Sequence, residues 1–87
     1  MEILTAQKLS EVLREPQVRR LRKVLTVLGP GRVAGLLAET LLTEQQGGMR
    51  TATGERRTVG GVFFQTVRQR ATPQERRQLF HRGSAGG

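Results

Sequence analysis

Two glycine pairs, Gly47-Gly48 and Gly60-Gly61, constrain the fold of this chain more than any other feature. Glycine is unfavourable inside helices and gives the backbone freedom to turn. Because the sequence on both sides has helical apolar spacing, we expect a loop between two helical parts. The loop carries three arginines, three threonines and one acid, which are Arg50, Arg56, Arg57, Thr51, Thr53, Thr58 and Glu55. Backbone freedom, spare amide donors and positive charge are typical of a phosphate-binding surface.

Capping residues and helix breakers predict an all-α fold, a small bundle of about five short helices. Thr5 can cap the first helix, and Gly29 can end the second in the left-handed conformation. Thr72, Pro73 and Glu75 form a capping box for the last helix. The predicted helices cover residues 5–14, 16–28, 31–45, 61–70 and 73–82.

Apolar spacing indicates which faces of these helices are buried. In the third helix we expect a buried stripe of Val33, Leu37 and Leu41 beside Ala34 and Ala38, widened by Leu36 and Leu42, and close helix approach at Gly35. Phe63 should lie in the core and Phe64 at its edge. The other predicted core residues are Leu9, Val12, Leu13, Val18, Leu21, Val24, Leu25, Leu28, Leu79 and Phe80.

The segment between the glycine pairs has two interpretations. Residues 49–51 and 56–58 can pair as a tiny β-hairpin, with Gly54 supplying the turn. The alternative is an irregular loop, since a lone hairpin is marginally stable. In either case a glycine-bracketed basic loop joins helices three and four.

Length and composition predict one small domain. We expect residues 1–82 to form it and residues 83–87 to be a disordered tail. There is no cysteine and a single histidine, His81, so a metal site is not expected. The segment GGMRTATG lacks the lysine followed by serine or threonine that a phosphate loop requires. We expect no catalysis, no cofactor and no small-molecule substrate.

The net charge of +8 lies mainly in the second half of the chain. Residues 1–44 carry seven basic and five acidic groups, whereas residues 45–87 carry eight basic and two acidic groups. This imbalance favours a polyanionic partner, although base composition of the genome or thermal adaptation also enriches arginine. In the second helix, Arg19, Arg22 and Lys23 form either a phosphate-contacting surface or an ordinary solvated face.

No run of residues reaches the length of a membrane span, and the N-terminal residues MEILTAQKLSE lack a signal pattern. We therefore expect a cytoplasmic protein, or a nuclear one if the source has a nucleus. The low aromatic content argues against a sheet-type RNA reader that stacks bases on surface aromatic rings.

The segment EQQGGMRTATGERRTVGGVFF resembles the signature of the RNA-binding domain of the phosphorylated adaptor for RNA export. The upstream residues Glu15, Pro16 and Gln17 and the segments LLAETL and TPQERRQLF are also similar to that family. The resemblance spans roughly residues 9–82. It implies a small helical bundle that binds single-stranded RNA with little sequence preference. The export role of the family depends on other regions and is not carried over.

The resemblance implies RNA binding at the matching positions Arg50, Arg56, Arg57, Thr58, Gly60 and Gly61. Val59 departs from the family, which usually has proline at this position and so a pre-set start of the fourth helix. We add the basic residues Arg19, Arg22, Lys23 and Arg68 as further RNA contacts.

The predicted function is non-enzymatic binding of single-stranded RNA by a monomer, mainly through phosphate contacts from the basic loop and the adjoining helix N-terminus. The alternative is a protein-interaction module that docks an acidic partner through the same basic surface. Binding of the second helix to an anionic membrane is a third hypothesis, which burial of its apolar stripe would oppose.

Overall fold

A computed structural model describes residues 4–80 and contains five α-helices in this range. The helices are α1 (Ala6–Leu13), α2 (Val18–Leu28), α3 (Pro30–Gln45), α4 (Val59–Arg70) and α5 (Pro73–Phe80). Residues 4–80 contain no β-strand, and the predicted all-α bundle is confirmed. The predicted continuation of the last helix to residue 82, His81 and the tail lie outside the described residues.

The break between α1 and α2 is fixed by hydrogen bonds of Glu15. Arg14 ends α1 in the left-handed conformation (φ 54°, ψ 42°), and the Ser10 hydroxyl donates to the Glu15 carbonyl at 2.5 Å. The Gln17 amide donates to Glu15 Oε2 at 3.1 Å. Because Pro16 and Gln17 belong to this connection, α2 begins at Val18, two residues later than predicted.

Gly29 alone connects α2 to α3. Its amide donates to the Leu25 carbonyl at 2.9 Å, and its carbonyl accepts from the Val33 amide at 3.1 Å. Its φ of 89° is positive, but its ψ of 152° lies outside the left-handed helical region that we predicted. This extended positive-φ conformation is essentially restricted to glycine. One glycine therefore ends α2 and starts α3 at Pro30.

The core lies where α1, α2, α3 and α4 meet, and α5 packs on α2. Phe63 is fully buried, as predicted, and Phe64 is also buried rather than at the edge of the core. The other buried apolar residues are Ala6, Leu9, Leu13, Leu21, Val24, Leu28, Val33, Leu36, Val62, Val67 and Ala71. Val18, Leu25, Leu37, Leu79 and Phe80 are partly buried against this cluster.

The predicted buried face of α3 is confirmed at Val33 and in part at Leu37, but it is wrong at Leu41. Leu41 is 43% exposed, whereas Leu36 and Thr40 are buried on the face that includes Val33. Thr40 can lie in the core because its hydroxyl donates to the Leu36 carbonyl at 2.8 Å. The rotation of the helix also leaves Ala34 and Ala38 exposed.

Two further packing predictions are wrong. A Cβ atom at Gly35 would meet nothing within 4 Å, so no helix among residues 4–80 approaches closely there. Val12 of α1 is 44% exposed, and Ala6 is buried in its place with Leu9 and Leu13. In both helices the apolar residues outnumber the positions that the small core can cover.

The segment between α3 and α4 is a minimal hairpin. Gly47 and Gly48 have φ values of 109° and 79° and end α3, and the Gly48 amide donates to the Thr43 carbonyl at 2.9 Å. Arg50 and Arg56 then form one antiparallel β-bridge, and Gly54 turns the chain with a φ of 92°. The predicted hairpin is therefore present as a single bridge, but its register differs, because Thr51 pairs with Glu55 and Thr58 caps α4.

Candidate functional site

The start of α4 is shaped by a threonine cap and two glycines. The helix begins at Val59, two residues before the predicted start, and the Thr58 hydroxyl accepts from the Gly61 amide at 3.0 Å. Gly60 is buried against Glu15, whose carboxylate occupies the space of a Cβ atom. The Thr58 cap forms this turn although residue 59 is valine. The family that the sequence resembles usually has proline at this position.

Beside this turn, α2, α4 and α5 border a cavity of about 290 Å³ that is open to solvent. We call it the arginine pocket, and its lining residues are Arg20, Arg57, Gly61, Phe64, Gln65, Arg68 and Phe80. Three of these residues are arginines, whose side chains end in guanidinium groups, and none is acidic. Because arginine stays protonated at any physiological pH, the lining carries three permanent positive charges.

Two of the guanidinium groups lie over phenylalanine rings in cation–π contacts. Arg20 Cζ lies 4.1 Å from the centroid of Phe64 and 5.7 Å from that of Phe80. Arg68 Cζ lies 4.8 Å from the centroid of Phe80. The face of each ring attracts the cation, while the N–H groups at the guanidinium edge stay able to donate. Arg20 and Arg68 are therefore both placed at Phe80.

Arg57 reaches the pocket from the end of the hairpin. Its backbone amide donates to the Met49 carbonyl at 2.7 Å, which fixes the residue immediately before the Thr58 cap. Its side chain is half-buried. The hairpin thus supplies the third cation.

Three carboxylates of residues 4–80 form ion pairs, each with an arginine outside the pocket. Arg32 contacts Glu75 at 2.6 Å, Arg56 contacts Glu44 at 3.2 Å and Arg70 contacts Glu39 at 2.6 Å. In the part of the chain that the structure describes, no carboxylate pairs with Arg20, Arg57 or Arg68. The three arginines of the pocket therefore carry positive charge that no ion pair within residues 4–80 balances, and an anionic ligand can balance it.

A second depression, of about 560 Å³, lies beside the start of α2. We call it the α2 groove, and its lining residues are Pro16, Gln17, Val18, Arg19, Arg20 and Lys23. Arg20 lines both depressions, so the basic surface is continuous from the groove to the pocket. A chain-like polyanion can follow such a surface.

The structure brings together some of the predicted site residues. Arg57, Gly61 and Arg68 line the pocket, and Arg19 and Lys23 line the groove. These five residues come from the loop, α4 and α2, which are separated in sequence. Together they form one basic surface.

The other predicted site residues lie apart from it. Arg22 lies about 200° around α2 from Arg20, since successive residues turn by about 100°. Arg50 donates to the Gly54 carbonyl at 3.1 Å and braces the hairpin turn. Arg56 pairs with Glu44 of α3. Thr58 caps α4, and Gly60 is buried.

Sequence reasoning missed Arg20, Phe64, Gln65 and Phe80 as lining residues of the pocket. The signal for two of them was present in α4, where Gly61, Phe64, Gln65 and Arg68 recur at three-and-four spacing and so share a face. The contact of Arg20 with this face has no local signal, because it depends on how α2 packs against α4 and α5.

A capping box positions α5 and hence Phe80. The Thr72 amide donates to Glu75 Oε1 at 2.9 Å, and the Glu75 amide donates to the Thr72 hydroxyl at 3.1 Å, as predicted. The hydrogen bond from Arg32, followed by that from the Thr72 amide, lowers the pKa of the Glu75 carboxyl. Glu75 therefore ties the start of α5 to α3 while it is ionised.

Among residues 4–80, no helix combines the length and the apolar character that crossing a bilayer requires. The same part of the chain holds no group of three or more histidine, cysteine or acidic side chains arranged to hold a metal ion.

Comparisons with known proteins agree on one family. The family model described as the RNA-binding domain of the phosphorylated adapter RNA export protein matches residues 5–85. The chain is similar to the phosphorylated adapter RNA export protein of Rattus norvegicus, with 38% identity over 64 residues. The matched region covers 72% of this chain and 17% of that protein. No solved structure matches the chain.

Proposed function

Because the chain belongs to the family of the RNA-binding domain that occurs in the phosphorylated adapter RNA export protein, we propose that it binds single-stranded RNA without catalysing a reaction. The observation that carries this proposal is the arginine pocket. Its three guanidinium groups have no carboxylate partner in residues 4–80, and two of them are held by aromatic rings. Phosphate oxygens are the natural partners of such groups.

Phosphate contacts account for the affinity in this proposal. Arg57 and Arg68 donate to phosphate oxygens in the pocket, and Arg19 and Lys23 contact the backbone of the strand along the α2 groove. Arg22, Arg50 and Arg56 lie further away and add to the attractive field. Because phosphates carry no sequence information, we expect little sequence preference.

Stacking accounts for the preference for single strands. The guanidinium group of Arg20 lies over the Phe64 ring and belongs to an exposed residue, so an unpaired base can stack on it. A duplex keeps its bases stacked on one another and cannot offer one to this surface. Thr58, Gly60 and Gly61 serve the interface by shaping the turn that leads into the pocket.

A binding experiment with two forms of one RNA tests the proposal. We expect a labelled single strand of about ten nucleotides to bind more tightly than the duplex of the same sequence, as measured by fluorescence anisotropy. Arg68→Gln should weaken binding of the single strand by about tenfold, whereas Arg77→Gln should change it by less than about twofold. Arg77 is the matched control because it is an exposed arginine of α5 that does not line the pocket.

Two results would contradict the proposal. One is the absence of RNA binding at low salt. The other is capture of an acidic protein through Arg57 and Arg68 that survives ribonuclease treatment, without any affinity for RNA. That second result would favour a protein-interaction module at the same surface.

A further inference from the structure

We propose that the arginine pocket binds the terminal phosphate of an RNA strand, a phosphomonoester, in preference to an internal phosphodiester. This inference rests on the proposed RNA binding and specifies which part of the RNA lies in the pocket. A terminal phosphate can stand at either end of a strand. The chemistry of the ligand is the same in both cases.

The charge of the pocket matches a phosphomonoester. An internal phosphodiester carries one negative charge, whereas a phosphomonoester carries about −1.5 to −2 at pH 7 and offers three strong acceptor oxygens. Each ion pair elsewhere in residues 4–80 joins one arginine to one carboxylate. The pocket instead gathers Arg20, Arg57 and Arg68 without an acid. One diester would leave most of that charge unbalanced.

Two of the guanidinium groups reach the pocket over the same ring. Arg20 and Arg68 both lie over Phe80, so their Cζ atoms are separated by no more than the sum of 5.7 and 4.8 Å. Contact with the rings restrains both guanidinium groups before a ligand arrives, which lowers the entropic cost of binding. Bidentate donation to phosphate is the geometry that a guanidinium favours.

The size of the pocket and its junction with the α2 groove allow an end of a strand to lie in it. The cavity of about 290 Å³ is near the lower limit of small-molecule pockets and suits about one nucleotide. Phe80 lines it on the side of α5, and it joins the larger α2 groove at Arg20. A strand that lies along the groove can therefore place its last phosphate among the three arginines.

The test compares RNA strands that differ only at their ends. Polyuridine strands of about ten nucleotides carry a 5′-phosphate, a 3′-phosphate or hydroxyl groups at both ends, and affinity is measured by isothermal titration. A hydroxyl-ended strand one nucleotide longer controls for the added phosphate. We expect one phosphate-ended strand to bind about tenfold more tightly than both hydroxyl-ended strands. The end that gives this gain identifies the direction of the strand.

Variants show whether the gain arises in the pocket. Arg57→Gln and Arg68→Gln should reduce the preference for a phosphate end to less than about twofold, whereas Arg77→Gln should retain it. Arg57→Gln is included because, unlike Arg68→Gln, it removes no contact with a phenylalanine ring. Thermal unfolding checks that both variants fold. Loss of the preference in either folded variant supports the proposal.

The outcomes separate this inference from the proposed function. Equal affinity for all strands, or a preference that Arg57→Gln and Arg68→Gln leave intact, would overturn the terminal-phosphate site while RNA binding itself stands. Failure of every strand to bind would overturn both proposals.

Discussion

The guanidinium group of Arg20 lies over the ring of Phe64, with 4.1 Å between Arg20 Cζ and the ring centroid. Phe64 in turn contacts Phe63 edge-on, at a centroid distance of 5.7 Å and an interplanar angle of 69°. Phe63 is fully buried. A short series of contacts thus connects the core to a cation at the surface, and the packing of α2 against α4 positions the pocket.

Replacing Phe64 tests whether this ring supports RNA binding. Phe64→Leu keeps an apolar side chain in the core and should lower the free energy of unfolding by about 1 kcal/mol. It also removes the surface on which Arg20 lies, so RNA affinity should fall about fivefold, the equivalent of a cation–π contact of about 1 kcal/mol. Fluorescence anisotropy and chemical denaturation measure the two effects.

The neighbouring Phe63 provides the control. Phe63→Leu should destabilise the domain at least as much as Phe64→Leu, because Phe63 is fully buried, but should change RNA affinity by less than about twofold. If the two variants weakened RNA binding equally, the loss would reflect core stability and not the position of Arg20.

The adjacent residues Arg56 and Arg57 should behave differently despite their identical chemistry. Arg57 lines the pocket, whereas Arg56 pairs with Glu44 on α3. We expect Arg57→Gln to weaken RNA binding about tenfold with little effect on stability. Arg56→Gln should lower the free energy of unfolding by about 0.2 to 1 kcal/mol and affect RNA affinity by less than about twofold. Titration and thermal unfolding of both variants measure this, and the reverse ranking of affinities would refute the assignment.

Gly60 and Glu15 should be energetically coupled. A Cβ atom at Gly60 would collide with the Glu15 carboxylate, which would then have to leave the Gln17 amide. Gly60→Ala should therefore cost about 1 to 2 kcal/mol of unfolding free energy, although alanine favours helices over glycine by about 1 kcal/mol.

A double-mutant cycle measures this coupling. In a Glu15→Ala background the cost of Gly60→Ala should shrink by at least about 1 kcal/mol, because the colliding carboxylate is gone. Additive effects of the two substitutions would show that the contact does not limit the residue at position 60.

Glu75 should stabilise the fold only while it is ionised. Its folded-state pKa is lowered, first by the hydrogen bond from Arg32 and then by that from the Thr72 amide. Its contribution is therefore fully present above the unfolded-state pKa, near 4.5, and is lost as the pH falls through the folded-state pKa. Thermal unfolding should show a Tm difference between the wild type and Glu75→Gln at pH 7 that shrinks in acid.

The control for this pH series is Glu11→Gln. Glu11 is an exposed residue of α1 and takes part in no ion pair within residues 4–80. The Tm difference between this variant and the wild type should be small at pH 7. A difference for Glu75→Gln that grew as the pH fell would contradict the assigned direction of the pKa shift.

The local features of the fold were predictable because neighbouring residues determine them. Thr72 and Glu75 form the expected capping box, and Gly54 turns the expected hairpin. Thr58 caps α4 from the position before Val59, so the helix forms without proline.

Features that depend on tertiary packing were not predictable in the same way. The apolar pattern of α3 favours Leu41 over Thr40, but the hydrogen bond of Thr40 to its own helix allows the hydroxyl to be buried. Likewise, nothing in the sequence near Arg20 indicates Phe64, which is far away along the chain. The charge pattern of the sequence indicated some residues that line the pocket and the groove, whereas the packing of α2, α4 and α5 brings Arg20 and Phe80 into the pocket.

The salt dependence of RNA binding tests the central claim most directly. For a hydroxyl-ended single strand that contacts the protein through about five phosphates, the logarithm of the association constant should fall with the logarithm of salt concentration with a slope of about −3.5. Replacing Arg20, Arg57 and Arg68 together by glutamine should reduce the magnitude of the slope by about 2, provided that thermal unfolding shows a folded variant. An unchanged slope in that folded variant would contradict the claim that the arginine pocket binds RNA phosphates.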